Sequence, residues 1–215
     1  MRKFMVVPLA GLLVLGAATP AFAGANVGNS SGSATVAQGG WDSYDDATQT
    51  SRSGYVAVVH ETGSAQTYAE YQQYTDQSVQ CTGAATPNDP TDDTFASTDT
   101  FVYGYGDAKL AIGKTNGSAT ASGTLSMSSD TFDGCTGEET YVDLPALAFT
   151  LNLSATSATI REGGRGSFHI PGEFNGHSSY KSVYRLADGT FAGGATRQSV
   201  SGQIGTFSWT DHSNG

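Results

Sequence analysis

Polar and apolar side chains alternate with a period of two along most of the chain after Gly54. In residues 118–127, Ser and Thr at even positions alternate with Ala, Gly, Leu and Met at odd positions. A half-buried β-strand explains this pattern because successive side chains of a strand point to opposite faces. Residues 67–74 and 99–105 repeat the spacing with Tyr, Phe and Val, and predict two further strands.

Residues 141–153 give the clearest prediction of a strand with one buried face. They place Leu147, Phe149, Leu151 and Leu153 on the same side. Pro145 interrupts this stretch, and proline has no N–H group to donate to a neighbouring strand. We therefore expect Pro145 to mark a sheet edge or a β-bulge.

Residues that tolerate a positive φ separate these segments and predict turns between antiparallel strands. They are Glu61–Ser64, Gly106–Asp107, Thr115–Gly117, Asn175–Gly176 and Asp188–Gly189. No segment carries the apolar stripe of a helix. The sequence thus predicts an all-β fold of about ten strands, either an antiparallel β-sandwich or a barrel-like sheet.

Residues 1–23 match the pattern of a signal peptide. A basic start precedes an apolar run over residues 4–15, and Ala21 and Ala23 supply the small residues of a cleavage site. We therefore expect a secreted, extracellular protein. The whole chain has a formal net charge of −10, and loss of the signal removes two positive charges. An acidic protein repels nucleic acid and anionic lipid, and no later apolar run is long enough to span a membrane, so neither nucleic acid nor membrane insertion is expected.

Composition divides the remaining chain into two parts. Residues 24–52 are rich in Gly, Ser, Ala, Asn and Thr, which bury little surface, and predict a flexible lead. Residues 53–215 predict a single β-rich domain. The segment around Ser30 matches Gly-x-Ser-x-Gly, but neither the preceding strand nor the following helix of a nucleophile elbow is predicted there.

Cys81 and Cys135 are the two cysteines of the chain. An even number of cysteines in an exported protein favours a disulfide. A redox-active pair is usually much closer in sequence, as in Cys-x-x-Cys, so we predict a structural bond.

Two groups of residues have the chemistry of metal ligands. His169, Glu173 and His177 are spaced by four, but Pro171 and several glycines exclude the helix that would align them. On a strand, residues four apart are separated by about 13 Å, so we interpret this stretch as a polar strand, turn and strand. The second group is an acidic loop whose carboxylates suit calcium, although it lacks the order of an EF-hand loop. Its residues are Asp89, Asp92 and Asp93. No other cofactor is expected.

The ten Tyr and two Trp are the main candidates for ligand binding. Aromatic rings suit a sugar-stacking face or a protein contact because they bury a large area at little cost in conformational entropy. They also fill the core of a β domain otherwise built from small residues, and we expect most of them there. Tyr68, Tyr74 and Trp209 are the candidate ligand-binding residues. No carboxylate pair, catalytic triad or dinucleotide fingerprint can be assigned, so no catalytic residue is predicted.

Three segments carry a resemblance to a known group of proteins. They are FVYGYGDAKL at 101–110, Val142-Asp143-Leu144, and HIPGEFNGHSS with the Ser-rich strand after it. Together they resemble a loose group of uncharacterised secreted β-rich proteins from soil bacteria. This chain departs from the group after Leu144, where it has Pro145-Ala146 in place of Thr and Trp. The resemblance implies a fold and a location, and no activity.

Three functions remain open. The first is a non-enzymatic extracellular domain that binds a polysaccharide or a protein surface, which predicts a patch of exposed Tyr and Trp. The second is a secreted hydrolase, which predicts at least two of its histidines beside carboxylates in one cavity. The candidate histidines are His60, His169, His177 and His212, the last next to Asp211. The third is a structural coat or adhesion component, which predicts self-association.

Overall fold

The structure is a computed structural model that describes residues 28–81, 96–170 and 174–214. These residues form nine strands and a short 3₁₀ turn over Lys114–Asn116. The strands are β1 (Gly28–Asp45), β2 (Thr50–Glu61), β3 (Thr67–Val79), β4 (Ala96–Ile112), β5 (Ser118–Asp133), β6 (Glu138–Ala155), β7 (Ile160–Ile170), β8 (Phe174–Gly193) and β9 (Thr196–Asn214). Over the same residues, the structure contains no helix with the length and apolar character needed to cross a membrane.

The strands pair side by side until the sheet closes into a ring. β1 to β6 pair in chain order, and β1 also pairs with β9, which pairs with β8. The ring closes where β6 pairs with the second half of β8, from Phe149 opposite Gly193 to Ala155 opposite Ala187. The first half of β8 pairs with β7 instead. Eight strands thus form the ring and β7 extends it at one end, which confirms the predicted all-β antiparallel fold in its barrel-like form.

The hydrophobic core lies inside the ring. Its largest fully buried side chains come from strands on all sides, and they are Phe191, Leu125, Leu151, Ile204, Val56 and Val58. Phe191 stacks on Trp41 with ring centroids 5.7 Å apart, and on Phe149 at 6.1 Å. Small residues such as Ala37 and Ala121 face this cluster. These small side chains leave room for the large aromatic side chains inside the narrow closed sheet.

The strand predicted over residues 141–153 is confirmed as part of β6. Phe149, Leu151 and Leu153 are all buried on its inner face. Pro145 lies where the register between β5 and β6 shifts, opposite the segment from Leu125 to Met127. It therefore occupies a β-bulge, as its missing N–H group predicts.

The predicted disulfide is also confirmed. Cys81 and Cys135 are bonded, with their Cα atoms 5.5 Å apart and 54 positions apart in sequence. Cys81 lies two residues after the end of β3, and Cys135 lies in the turn between β5 and β6. The bond thus ties together one end of β3, β4, β5 and β6.

Residues 28–45 differ from the flexible lead predicted for residues 24–52. They form β1, which pairs with both β2 and β9. The composition is misleading here because small residues are what the inner face of this strand needs. Ala37 is fully buried, and a side chain on Gly39 would overlap Val200 of β9.

Two of the five predicted turns are confirmed and three are wrong. Gly63, with a φ of 88°, lies in the turn between β2 and β3, and Lys114–Asn116 connects β4 to β5. Gly106 and Gly189 lie inside strands, where a Cβ atom would clash with a backbone carbonyl of the neighbouring strand. These glycines permit close approach of two backbones. Asn175–Gly176 also lies within a strand, β8, and residues 171–173 before it are outside the described residues.

Candidate functional site

The outer surface of β3 to β6 carries a cluster of exposed aromatic side chains. Residues that pair directly across antiparallel strands project from the same face. On one such row, Tyr74 pairs with Phe101, which pairs with Asp130, which pairs with Tyr141. Tyr103 and Tyr105 follow on the same face of β4. We call six of the outward-facing aromatic residues of these strands the aromatic face; they are Tyr74, Phe101, Tyr103, Tyr105, Phe132 and Tyr141.

The rings of the aromatic face are accessible to a ligand. Tyr141 is 59% exposed and Tyr105 is 52% exposed. Along β4, Phe101 and Tyr103 have ring centroids 5.5 Å apart, and Tyr103 and Tyr105 follow at 6.4 Å. These tilted rings form a continuous row along the strand. A contiguous exposed apolar surface of this kind is typical of an interaction site.

Carboxylates hold the tyrosine hydroxyls of this face in place. Tyr74 donates a hydrogen bond to Asp99 Oδ1 at 2.6 Å. Tyr141 donates either to Asp143 Oδ1 at 3.1 Å or to Ser128 Oγ at 3.0 Å. The bond to Asp99 stabilises the protonated phenol and raises the pKa of Tyr74 to about 12. A hydrogen bond with Tyr141 likewise raises the pKa of Tyr103.

Glu70 forms a second polar group at the edge of the aromatic face, next to Tyr105. It accepts hydrogen bonds from the Tyr55 hydroxyl and from Gln72 Nε2. Burial, together with the bond to Glu70, raises the pKa of Tyr55. Flat rings beside fixed carboxylate and amide groups can contact both the apolar face and the hydroxyl groups of a sugar.

The three candidate ligand-binding residues lie in different environments. Tyr74 belongs to the aromatic face and is 41% exposed. Tyr68 lies on the same side of β3, but it is half-buried, and burial raises its pKa. Trp209 lies on β9, where its ring stacks on Phe207 with centroids 5.9 Å apart. Its indole covers Gly32, so this tryptophan packs against the outer surface of the sheet.

Most of the candidate metal ligands lie outside the residues that the structure describes. Asp89, Asp92 and Asp93 fall in residues 82–95, and Glu173 in residues 171–173, all outside the part of the chain that the structure describes. His177 pairs with Ser167 of β7 and with His212 of β9. No group of three His, Cys, Asp or Glu residues suited to a metal occurs among the described residues.

His177 and His212 line one open cavity of about 260 Å³. Arg165, Ser179 and Thr210 complete its polar wall, and no carboxylate lines it among the described residues. His60 lies in another part of the ring, where its Nδ1 is 3.0 Å from the Thr67 hydroxyl. The hydrolase interpretation predicts a carboxylate in the same cavity as these histidines, and the described lining of this cavity contains none.

No family model matches the chain, and comparisons with curated proteins and with solved structures find no match. Sequence reasoning missed Tyr103, Tyr105 and Tyr141 as members of one surface. Strand alternation places Phe101, Tyr103 and Tyr105 on one face of β4, and this signal was present in the sequence. It does not reveal that this face points outward, because aromatic rings also suit the core.

Proposed function

We propose that this protein is an extracellular, non-enzymatic binding protein whose aromatic face attaches to a polysaccharide. The observation that carries the proposal is the row formed by Phe101, Tyr103 and Tyr105, with Tyr141 exposed on the neighbouring side. A row of exposed rings along one strand fits an extended chain of sugars, because each ring offers an apolar surface and each tyrosine hydroxyl a polar group.

The chemistry around the rings favours a sugar over an apolar partner. Asp99, Asp143 and Glu70 are acceptors within or beside the row, and they suit the hydroxyl groups of a neutral glycan. The formal net charge of −10 opposes an anionic ligand on this acidic surface. The disulfide and the export pattern of residues 1–23 support a site of action outside the cell.

Affinity electrophoresis through gels containing soluble glucan, xylan or galactomannan tests the proposal. We expect the native protein to be retarded by at least one of these neutral polysaccharides. Tyr105→Ala and Tyr141→Ala should each weaken the dissociation constant about tenfold, because a central aromatic contact is commonly worth more than about 1 kcal/mol.

Tyr44→Ala is the matched control for Tyr141→Ala. Tyr44 has the same exposure, 59%, but lies on β1, at the other side of the outer surface from β6. The control should leave retardation unchanged. Failure of all three polysaccharides to retard the native protein, or equal loss in the Tyr44 and Tyr141 variants, would refute glycan binding at the aromatic face. If the native protein is instead retained on a column of immobilised protein, the aromatic face is a contact surface for a protein.

A further inference from the structure

The inner face of the sheet continues beyond the core, into the end formed by β7, β8, β9 and β1. Phe191 and Ala187 of β8 are buried in the core, so every second residue back along β8 faces the same side. These residues include Arg185, Lys181 and Ser179. The face thus changes from apolar to cationic along a single strand.

Positive charge is concentrated on this face. Of the ten Lys and Arg residues in the chain, four lie on it: Arg161 and Arg165 of β7 and Lys181 and Arg185 of β8. The described carboxylates of β7, β8 and β9 lie on the opposite face, because they pair with outward positions. They are Glu162, Asp188 and Asp211. Glu162 accepts a hydrogen bond there from the Tyr184 hydroxyl, at 2.9 Å.

Two of these cations line an open cavity of about 490 Å³. We call it the basic trough; its lining includes Gly163, Arg165, Ser179, Lys181, Ser208 and Thr210. Gly163 pairs with Lys181 and Arg165 pairs with Ser179, so the two cations are diagonal neighbours with Cα atoms about 7–8 Å apart. Neither cation has an ion-pair partner within the described ranges.

The groups around Arg165 and Lys181 distinguish the basic trough from an ordinary charged surface. Arg185, deeper on the same face, is already occupied, since its Nε donates to the Ser157 carbonyl at 2.7 Å. Arg165 and Lys181 line the opening, and both are exposed. Ser179 and Thr210, paired across β8 and β9, add two hydroxyls between the strands. Arg165 also lines the adjoining cavity with His177 and His212.

Guanidinium, ammonium and hydroxyl groups that converge without a carboxylate are the donors an oxyanion requires. We propose that the basic trough binds an oxyanion, such as a sulfate or carboxylate, through Arg165 and Lys181. The trough supplies two cations, so it matches a ligand with one or two negative charges at the contact, while the acidic remainder of the molecule repels anions at a distance. The proposal is independent of glycan binding at the aromatic face.

The test compares inorganic sulfate, dextran sulfate and neutral dextran as ligands of the full chain, at constant ionic strength adjusted with sodium chloride. Binding is measured by isothermal titration calorimetry. We expect saturable binding of at least one sulfated ligand and none of neutral dextran. The Arg165→Gln/Lys181→Gln double variant should weaken it at least about tenfold, since it removes both charge-assisted contacts.

The Arg52→Gln/Lys109→Gln double variant is the matched control. It removes the same charge from exposed positions of β2 and β4, away from the trough. Equal loss in the two double variants would show a general charge effect and overturn the site, as would the absence of binding by all sulfated ligands. If inorganic sulfate binds, a free ion is a sufficient ligand for the trough. If only dextran sulfate binds, the ligand is a sulfate group carried on a glycan. Tyr141→Ala should leave either response intact, so this result is separate from the glycan test.

Should the trough double variant fold poorly, charge reversal at the exposed Lys181 alone, Lys181→Glu, serves the same purpose. Urea unfolding of each variant without ligand verifies its stability. A Lys181→Glu protein that is native in stability and still binds sulfate with unchanged affinity would overturn the proposal.

Discussion

Tyr71 and Phe191 lie on opposite walls of the ring and meet at its centre, with ring centroids 5.4 Å apart. Tyr71 is on β3 and Phe191 on β8, which are four strands apart in either direction around the ring. Both are buried. This side-chain contact links two strands that do not pair with each other. The aromatic cluster around Phe191 therefore stabilises the fold at its centre.

Replacement of Phe191 should therefore be among the most destabilising changes in the protein. We expect Phe191→Ala to lower the free energy of unfolding by about 3–5 kcal/mol, because it removes ring contacts from several strands and leaves a cavity. Phe191→Leu keeps most of the volume and should cost less than about 1.5 kcal/mol. Urea unfolding followed by circular dichroism measures both. A loss of equal size in the two variants would argue against a cavity at the centre of the ring.

The period-two pattern predicted the strands well because alternation is a local property. Leu151 and Ala121 are buried where the pattern places them. It did not predict how the sheet closes, because the pairing of β6 with β8 joins residues 32 to 44 positions apart and depends on the whole sheet. The basic trough was missed for the same reason. Arg165 and Lys181 become neighbours through the pairing of β7 with β8, and their common face is defined by the distant core residue Phe191.

The disulfide should contribute a large share of the stability. Cys81 and Cys135 close a loop with a sequence separation of 54. In the chain-entropy model, loss of a bond across such a loop costs about 4 kcal/mol. We expect a Cys81→Ser/Cys135→Ser variant to show this loss in urea unfolding. The native protein after reduction should behave similarly, and a loss below about 1 kcal/mol in both cases would contradict a stabilising role for the bond.

The stability contributed by the hydrogen bond from Tyr74 to Asp99 should depend on pH. The pKa of Tyr74 is raised to about 12 in the folded protein, above its ordinary value of about 10. A raised pKa means that the bond contributes its stability in full below about pH 10 and loses it as the pH rises toward about 12. Asp99→Asn should therefore lower the pKa of Tyr74 toward 10.

Absorbance titration of tyrosinate can measure this change for a single residue. The contribution of Tyr74 is obtained by subtracting the titration curve of a Tyr74→Phe variant from that of the protein with Tyr74. This subtraction is made twice, once with Asp and once with Asn at position 99. Asp143→Asn is the matched control, because Asp143 contacts Tyr141 rather than Tyr74. An unchanged Tyr74 pKa in Asp99→Asn would show that another group causes the shift.

Gly32 should tolerate no side chain, because the indole of Trp209 lies directly over it and a Cβ atom there would clash with the ring. We expect Gly32→Ala to displace the indole and to lower the free energy of unfolding by about 1–3 kcal/mol. In a Trp41→Phe background, where Trp209 is the sole tryptophan, its fluorescence should shift to longer wavelength as the ring becomes exposed. Gly166→Ala is the control, since the nearest atom to its Cβ would be the rotatable Ser178 hydroxyl at 3.2 Å. In a Trp209→Leu background, Gly32→Ala should lower the free energy of unfolding by less, because the overlapping ring is gone. If the loss of unfolding free energy stays the same, the added methyl group clashes with the backbone and not with the indole.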